Sequence, residues 1–563
     1  MLTAMVLSLL QSTVWNDVST VVRSDGRGYY AYLPALLIHT DPSFERVVET
    51  ENAYGKGEQI YLYEDVNGNT YNKYFPGLAI LQSPFFIVAC GISWLSGTPV
   101  DGYNDIFMWM FLIGSISFLC IGILSFAQVF RLRFPNFKSA HVVLSLLVLG
   151  TPILYYGINS PSFTHVYSFG LFGLFALLVL KLKTNPRQLN WIYLGVVLGL
   201  IFLVRPTNIL VVVVIPLLLK DFEGLKSFVE SLFKRKGRSF ISAFLFFLGT
   251  ISLLFISWHW QTGSWVVWSY NGEGFDFMNP RFFTALFSYR IGLFLHTPML
   301  LLVLISLFVM RKRSYELSMF LLYLIVNTWV ISSWWCWDYE SVFGNRPFTE
   351  HMILLFLPAV YFIDKYRKLG LSVMIVFAFF GFFRMYQTIS GITPVARYTA
   401  TSYWSSLVSI GSSEEGRFNF TESCEPHGAV LKEEVILERE FFEFKEGQEF
   451  ALSKTVDLPK PRTNERYYYT INLKKKHQLE RFEGVYLVID ATSNDSDERS
   501  YRSIELFNDR REGYDSWSTE LKFQGIVHDN KQEFDQVKFY IWNSAGKVFS
   551  VKDLSYKLSL YKD

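Results

Sequence analysis

RLRFPNFKSAHVVLSLLVLGTPILYYGINSPSFTHVYSFGLFGLFALLVLKLKTNPR, residues 131–187, decides the fold class. Two apolar runs, 140–157 and 165–180, are separated by the short polar loop 158–165 and closed at both ends by basic loops. An apolar run of this kind buries its backbone polar groups only as a helix in a bilayer. The flanking Lys and Arg place both outer ends of the hairpin in the cytoplasm.

The pattern continues in both directions. Further apolar runs lie near 105–130, 240–260, 293–310, 317–335, 350–363 and 369–389, and two shorter ones, 189–204 and 208–219, flank Arg205-Pro206-Thr207-Asn208. Basic loops recur at 181–187, 234–238, 311–313 and 364–368, all cytoplasmic by the same rule. The apolar segment 75–95 would put RLRFPNFK on the wrong side if it crossed, so it is expected as a juxtamembrane or re-entrant segment on the outer face. The N-terminal MLTAMVLSLLQSTVW lacks a basic leader and a small-residue cleavage site. It reads as a first span, short of the roughly 20 residues needed, so upstream residues are expected. The result is about eleven spans, N-terminus inside and C-terminus outside. The outer surface is then built from 16–104, 158–165, the Arg205 hairpin, 261–291, 336–349 and everything after Ser390.

Composition agrees. Hydrophobic residues are 51% of 563 and charged residues 18%, below the roughly 25% of soluble proteins. The 53 Phe, 32 Tyr and 15 Trp suit lipid contact and interfacial belts. About half of the charges fall after position 400, so a membrane domain (1–395) is expected to precede a soluble one (412–563). The basic residues are spread over short loops, which excludes a nucleic-acid surface. The four cysteines, Cys90, Cys120, Cys336 and Cys424, form neither a disulfide framework nor a CxxC site.

After 400 the pattern turns to alternating strands: 466–476, 484–492, 503–508, 537–543 and 554–561, with polar connectors. These fit an all-β sandwich. The ending QVKFYIWNSAGKVFSVKDLSYKLSLY resembles a jelly roll of the carbohydrate-binding-module type. Trp517, Trp542 and Tyr540 are its candidate glycan-binding rings, or else core.

The chemistry is sought on the outer face. Asp25 lies in SDGRGYY with Arg23, Arg27, Gly26, Gly28, Tyr29 and Tyr30. A carboxylate beside arginines supplies a base for a hydroxyl and cations for a departing phosphate. An ordinary loop acid, ion-paired for structure, is the other reading. Arg205, Arg290 and Arg346 are candidates for a phosphate, which a planar guanidinium holds with two hydrogen bonds; snorkelling or loop support is the alternative for each. Lys73 and Tyr74 add a further phosphate contact. His165 begins a span and reads as structural or as a substrate contact. Asp338, Glu340, Glu350 and His351 could gather a divalent cation, although their spacing matches no known ligand set; no cofactor is favoured. Trp334, Trp335 and Trp337 fit either a sugar or an interfacial belt.

From about 10 to 390 the chain resembles the polytopic, lipid-phosphate-sugar-dependent transferases of GT-C type, including protein O-mannosyltransferases and lipid A aminoarabinose transferases. The matching stretches are SDGRGYYAYLP, KYFPGLAILQSPFF, SPSFTHVYSF, FLVRPTN, YRIGLFLHTPML and WWCWDYESVFGNRPFTEHMILLFLP. The resemblance implies an α-helical GT-C-like membrane domain in the plasma membrane, with the C-terminal domain extracytoplasmic. It also implies a polyprenyl-phosphate sugar donor, a glycan, lipid or protein acceptor, and Asp25 as the general base of an inverting displacement. Arg205 matches the positively charged hairpin of these enzymes. Several branches carry Asp-Glu where this chain has Asp-Gly, so a two-acid or metal-bound motif is in doubt. Two rivals stand beside this reading: an oligosaccharide ligase or polymerase using a lipid-linked glycan, and a transporter or flippase with a glycan-binding domain.

Overall fold

The computed structural model describes residues 18–55, 61–234, 237–270, 273–339, 343–390, 403–404, 406–407, 429–459, 465–476, 485–493, 499–506, 517–518, 521–527, 534–544 and 546–562. The expected first span, Cys424, Glu340 and the stretch 408–428 lie outside them. The contacts divide the chain into two compact units, Met1–Ser390 and Gly391–Asp563.

The first unit is helical. Six helices are long and apolar enough to cross a bilayer alone: Gly77–Ser96, Asp105–Arg133, His165–Thr184, Arg238–Thr262, Ser314–Ser332 and Arg367–Ile389. A seventh candidate is Ala140–Gly150 with Pro152–Ile158, bent by 65°. Pro152 causes the bend, because it forces Thr151 into extended backbone and removes a helical N–H. Shorter apolar helices, Gln188–Val204, Pro206–Leu219 and Pro298–Met310, complete the set. Pro206–Val214 is a nine-residue 3₁₀ run followed by five α-helical residues. A 3₁₀ helix rises about 2.0 Å per residue, so this short stretch reaches about 25 Å.

These elements run between two layers of polar contacts. In one layer Arg133 pairs with Glu316 and donates to the Leu217 carbonyl (3.1 Å), Lys183 donates to Leu219 (2.9 Å), Gln188 to Arg238 (3.1 Å) and Arg367 to Ser139 (2.9 Å). All the basic loops that the structure describes lie in this layer. The opposite layer holds the loops expected to carry the chemistry. Asn72 N–H meets Gln261 (2.8 Å), Asp276 N–H meets Ser333 (2.7 Å), and Asn345 meets Ala285 (3.2 Å).

Gly77–Ser96 departs from the rest. Where a juxtamembrane or re-entrant segment was expected, the structure has one 20-residue helix with Pro84 inside it, long and apolar enough to cross a bilayer. Its start packs on the end of Gln188–Val204, where a Cβ on Gly77 would lie 2.3 Å from the Leu203 carbonyl carbon. Its Phe86 ring meets Phe107, near the start of Asp105–Arg133. Beyond its end, the Gly102 carbonyl accepts from Tyr30 and the Tyr103 hydroxyl reaches Glu51 (3.1 Å). The start of the helix and the loop that follows it therefore touch the site layer. Asp105–Arg133 has 29 residues, about 43 Å against a hydrocarbon core of about 30 Å. Its first turns pack alongside Gly77–Ser96. Ile87, Val88, Trp94 and Leu95 are exposed on this helix, as suits one lying at an interface.

The second unit is a β sandwich of strands β3 (Ala429–Phe444), β4 (Phe450–Asp457), β5 (Glu465–Lys476), β6 (Val485–Thr492), β7 (Arg499–Glu505), β8 (Leu521–Ile526), β9 (Gln536–Asn543) and β10 (Phe549–Lys562). β1 (Leu62–Glu64) and β2 (Thr70–Asn72) form a separate hairpin in the first unit. The two sheets run β3-β10-β5-β8 and β4-β9-β6-β7, all pairs antiparallel. Numbered from one within the domain, this is 1-8-3-6 facing 2-7-4-5, the order of a jelly roll. Alternation makes the core: Val537, Phe539 and Ile541 of β9 are buried with Val485, Leu487 and Ile489 of β6. Tyr540 and Trp542 fall on the opposite face, beside Phe450 and Tyr486. They are not core. Trp517 lies against Phe441.

Candidate active site

Asp25 opens the helix Asp25–Pro34, where the helix dipole favours a negative charge. The residue before it, Ser24, has φ 48° and ψ −136° and makes no side-chain cap. Such backbone costs a non-glycine residue about 1–3 kcal/mol and persists only where its surroundings impose it. Those surroundings are the segment 159–162. Arg23 donates to the Asn159 carbonyl (2.8 Å) and to Ser160 (3.2 Å), and a Cβ on Gly26 would sit 2.2 Å from Ser162 Cβ. The Asp-Gly sequence thus has a steric cause. No second acid fits at position 26 while Ser162 stays in place.

The carboxylate of Asp25 is held at both oxygens. Oδ1 accepts from the Tyr74 hydroxyl (2.9 Å), and Oδ2 lies 3.2 Å from Arg346 Nη2. Its side chain remains 31% exposed, against 18% for Arg346. Burial, and then the neighbouring Asp25 charge, push the Tyr74 phenol far above its ordinary pKa. Tyr74 is therefore a protonated donor at neutral pH. Tyr29 packs on Tyr74 with ring centroids 4.4 Å apart. Asp25, Arg205 and Arg346 all act electrostatically on its phenol. Three charges converge on one tyrosine.

Arg205 ends the helix Gln188–Val204 in extended backbone, the conformation favoured before a proline. Its guanidinium lies over Tyr339 (5.2 Å) and 3.8 Å from Glu350. Glu350 is fully buried and also meets His165 Nδ1 (2.8 Å) and the Asn208 amide (2.8 Å), which in turn donates to Ser168 (3.0 Å). Arg346 and Glu350 share the 3₁₀ segment Arg346–His351, so one short element supplies a partner to Asp25 and another to Arg205.

The remaining candidates stand apart. Arg27 is no partner of Asp25: it forms a buried pair with Glu51 (2.8 Å), which also accepts from Tyr61 (2.7 Å) and Tyr103. Lys73 is paired with Glu273 and lies over Tyr74 and Tyr270, so its charge is matched rather than waiting for an anion. Arg290 pairs with Asp338 over Trp337. His165 is 2% exposed, and its Nδ1 meets Glu350. Of the acidic cluster considered for a cation, Glu340 lies outside the described residues, Glu350 meets His165, His351 meets Tyr323 (2.6 Å), and Asp338 pairs with Arg290. Among the described residues no three His, Cys, Asp or Glu converge on a metal-sized space. Glu350 and Asn208 as a pair were not legible beforehand, although each follows an Arg-Pro step by a few residues, in RPTN and RPFTE.

No family model matches the chain, and no curated protein matches it in sequence. Among solved structures it is similar to the Archaeoglobus fulgidus oligosaccharyltransferase in complex with zinc and sulfate (13% identity, 69% of this chain and 52% of that chain, TM-score 0.36). It is also similar to the oligosaccharyltransferase AglB of the same organism, in complex with an inhibitory peptide and a dolichol-phosphate (14% identity, 74% and 56%, TM-score 0.36). A third is the arabinosyltransferase EmbB of Mycobacterium smegmatis (11% identity, 98% and 64%, TM-score 0.36). The chain spans about half the length of the archaeal structures. A TM-score of 0.36 carries no residue correspondence, and the residue roles rest on this chain's own geometry.

Proposed function

We propose that the chain is a membrane glycosyltransferase that moves a sugar from a polyprenyl-phosphate donor to an acceptor hydroxyl on the extracytoplasmic face, with inversion. The carrying observation is the Asp25 carboxylate, fixed by Tyr74 and Arg346 and partly open, with Arg205 joined to the same 3₁₀ segment as Arg346 through Glu350. Asp25 takes the proton of the acceptor hydroxyl as its oxygen attacks the anomeric carbon. The bond from that carbon to the phosphate oxygen breaks, and the carrier leaves as a phosphate monoester with one more negative charge. Arg346 and Arg205 meet that growing charge, where cations lower the barrier most. Tyr74 keeps Asp25 aimed. The polyprenyl chain lies along the apolar helices and the acceptor is a glycan, lipid or protein hydroxyl. Residues 1–395 form the catalytic unit, seated in the plasma membrane, and 412–563 an extracytoplasmic domain.

The test is transfer by purified protein in nanodiscs against a panel of polyprenyl-phosphate sugars. A product whose anomeric configuration is inverted supports the reading. No transfer from any lipid-phosphate sugar, by protein that melts cooperatively, overturns it.

A further inference from the structure

Glu350 is a carboxylate with no exposure, and burying a charge is costly unless it is matched. Here it is matched from three elements at once. His165 begins the helix His165–Thr184, Asn208 lies in the 3₁₀ run Pro206–Val214, and Arg205 ends the helix Gln188–Val204. Asn208 lies three residues beyond Arg205 and is anchored to the same carboxylate oxygen that faces the guanidinium. That oxygen therefore fixes both the backbone turn at Pro206 and the side chain that projects from it. Arg205 is 19% exposed, and its Nη1 lies 3.8 Å from Glu350, an ionic contact longer than a hydrogen bond. A guanidinium is a rigid fork, and fixing one side fixes the direction of the other.

We infer that Glu350 is the positioning residue for Arg205: from beneath the site it aims the guanidinium at the carrier phosphate. This rests on the proposed carrier site. Arg346, on the same 3₁₀ segment, holds Asp25, so base and phosphate cation are set by one rigid piece. The pairing also explains why a buried acid is found under a site for anions. Its negative charge cancels part of the local positive charge without facing the ligand.

The experiment measures binding of a long-chain polyprenyl monophosphate to full-length protein in nanodiscs, with a thermal melt for each variant. Glu350→Gln keeps the shape but loses the charge and one acceptor. It should weaken binding about three- to thirtyfold, the range of coupling between directly interacting residues. Arg205→Ala should weaken it at least as much. The double variant should bind no worse than Arg205→Ala alone, because Glu350 acts only through Arg205. Glu350→Asp should recover part of the loss. A purely structural carboxylate would instead lower the melting temperature and add its effect to that of Arg205→Ala. If Glu350→Gln does not fold, Asn208→Ser removes only the amide that steadies the same oxygen, and its loss should also vanish in the Arg205→Ala background. Additive losses, or unchanged binding in Glu350→Gln where Arg205→Ala is impaired, overturn the inference alone. Unchanged binding in Arg205→Ala, or no binding by the unaltered protein, overturns the carrier site and the inference with it.

Discussion

Asp25 has three arginines near it in sequence or space, and only one of them reaches it. Arg23 is drawn to the carbonyl of Asn159 and Arg27 to Glu51, while Arg346 arrives from 321 positions away. Asp25→Asn keeps the hydrogen bond from Tyr74 but cannot take a proton. Transfer should fall by about 10²–10⁴-fold, the usual worth of general-base help, with carrier binding retained. Steady-state transfer beside a thermal melt measures this; near-full transfer would move the base elsewhere, with Asp338 next to be tested. Tyr74→Phe removes one hydrogen bond from the carboxylate, and about a two- to tenfold slower transfer is expected, the scale of a single such bond. Glu51 has a different task. Glu51→Ala removes the carboxylate paired with the buried Arg27 guanidinium and should cost about 3–5 kcal/mol, read as a marked fall in melting temperature.

At the scale of elements, the helix Gly77–Ser96 is the sharpest case. Its length and composition alone would let it cross a bilayer, yet its start and the loop after it contact the site layer. In a cysteine-free background, Gly97→Cys should therefore react with a membrane-impermeant maleimide from the same side as a cysteine in the site loops. Labelling only after permeabilisation would make the helix a span and reverse every element before it. The edge strand β3 shows a second limit of local reading. AVLKEEVILEREFFEF carries charges along most of its length and was not among the expected strands. It lies at the edge of its sheet, against β10, where charged side chains face water and discourage pairing with other chains. β4 and β8 were likewise unforeseen; both also lie at sheet edges.

At the scale of the molecule, the β unit has its own core and pairs its strands within itself. Residues 412–563 alone should give β-rich circular dichroism and a cooperative melt; an unfolded product would tie its folding to the helical unit. The chain's own letters determined the membrane class, the layer that holds the basic loops, and Asp25 as the acid to test. Those features depend on local hydropathy and charge, which every short window of sequence carries. Only tertiary structure decided which arginine meets Asp25, that Arg27, Lys73 and Arg290 are engaged elsewhere, and that Glu350 lies beneath Arg205 instead of in a metal site. A buried charge finds its partner through packing between helices far apart in the chain, and no window of sequence contains both halves of such a pair.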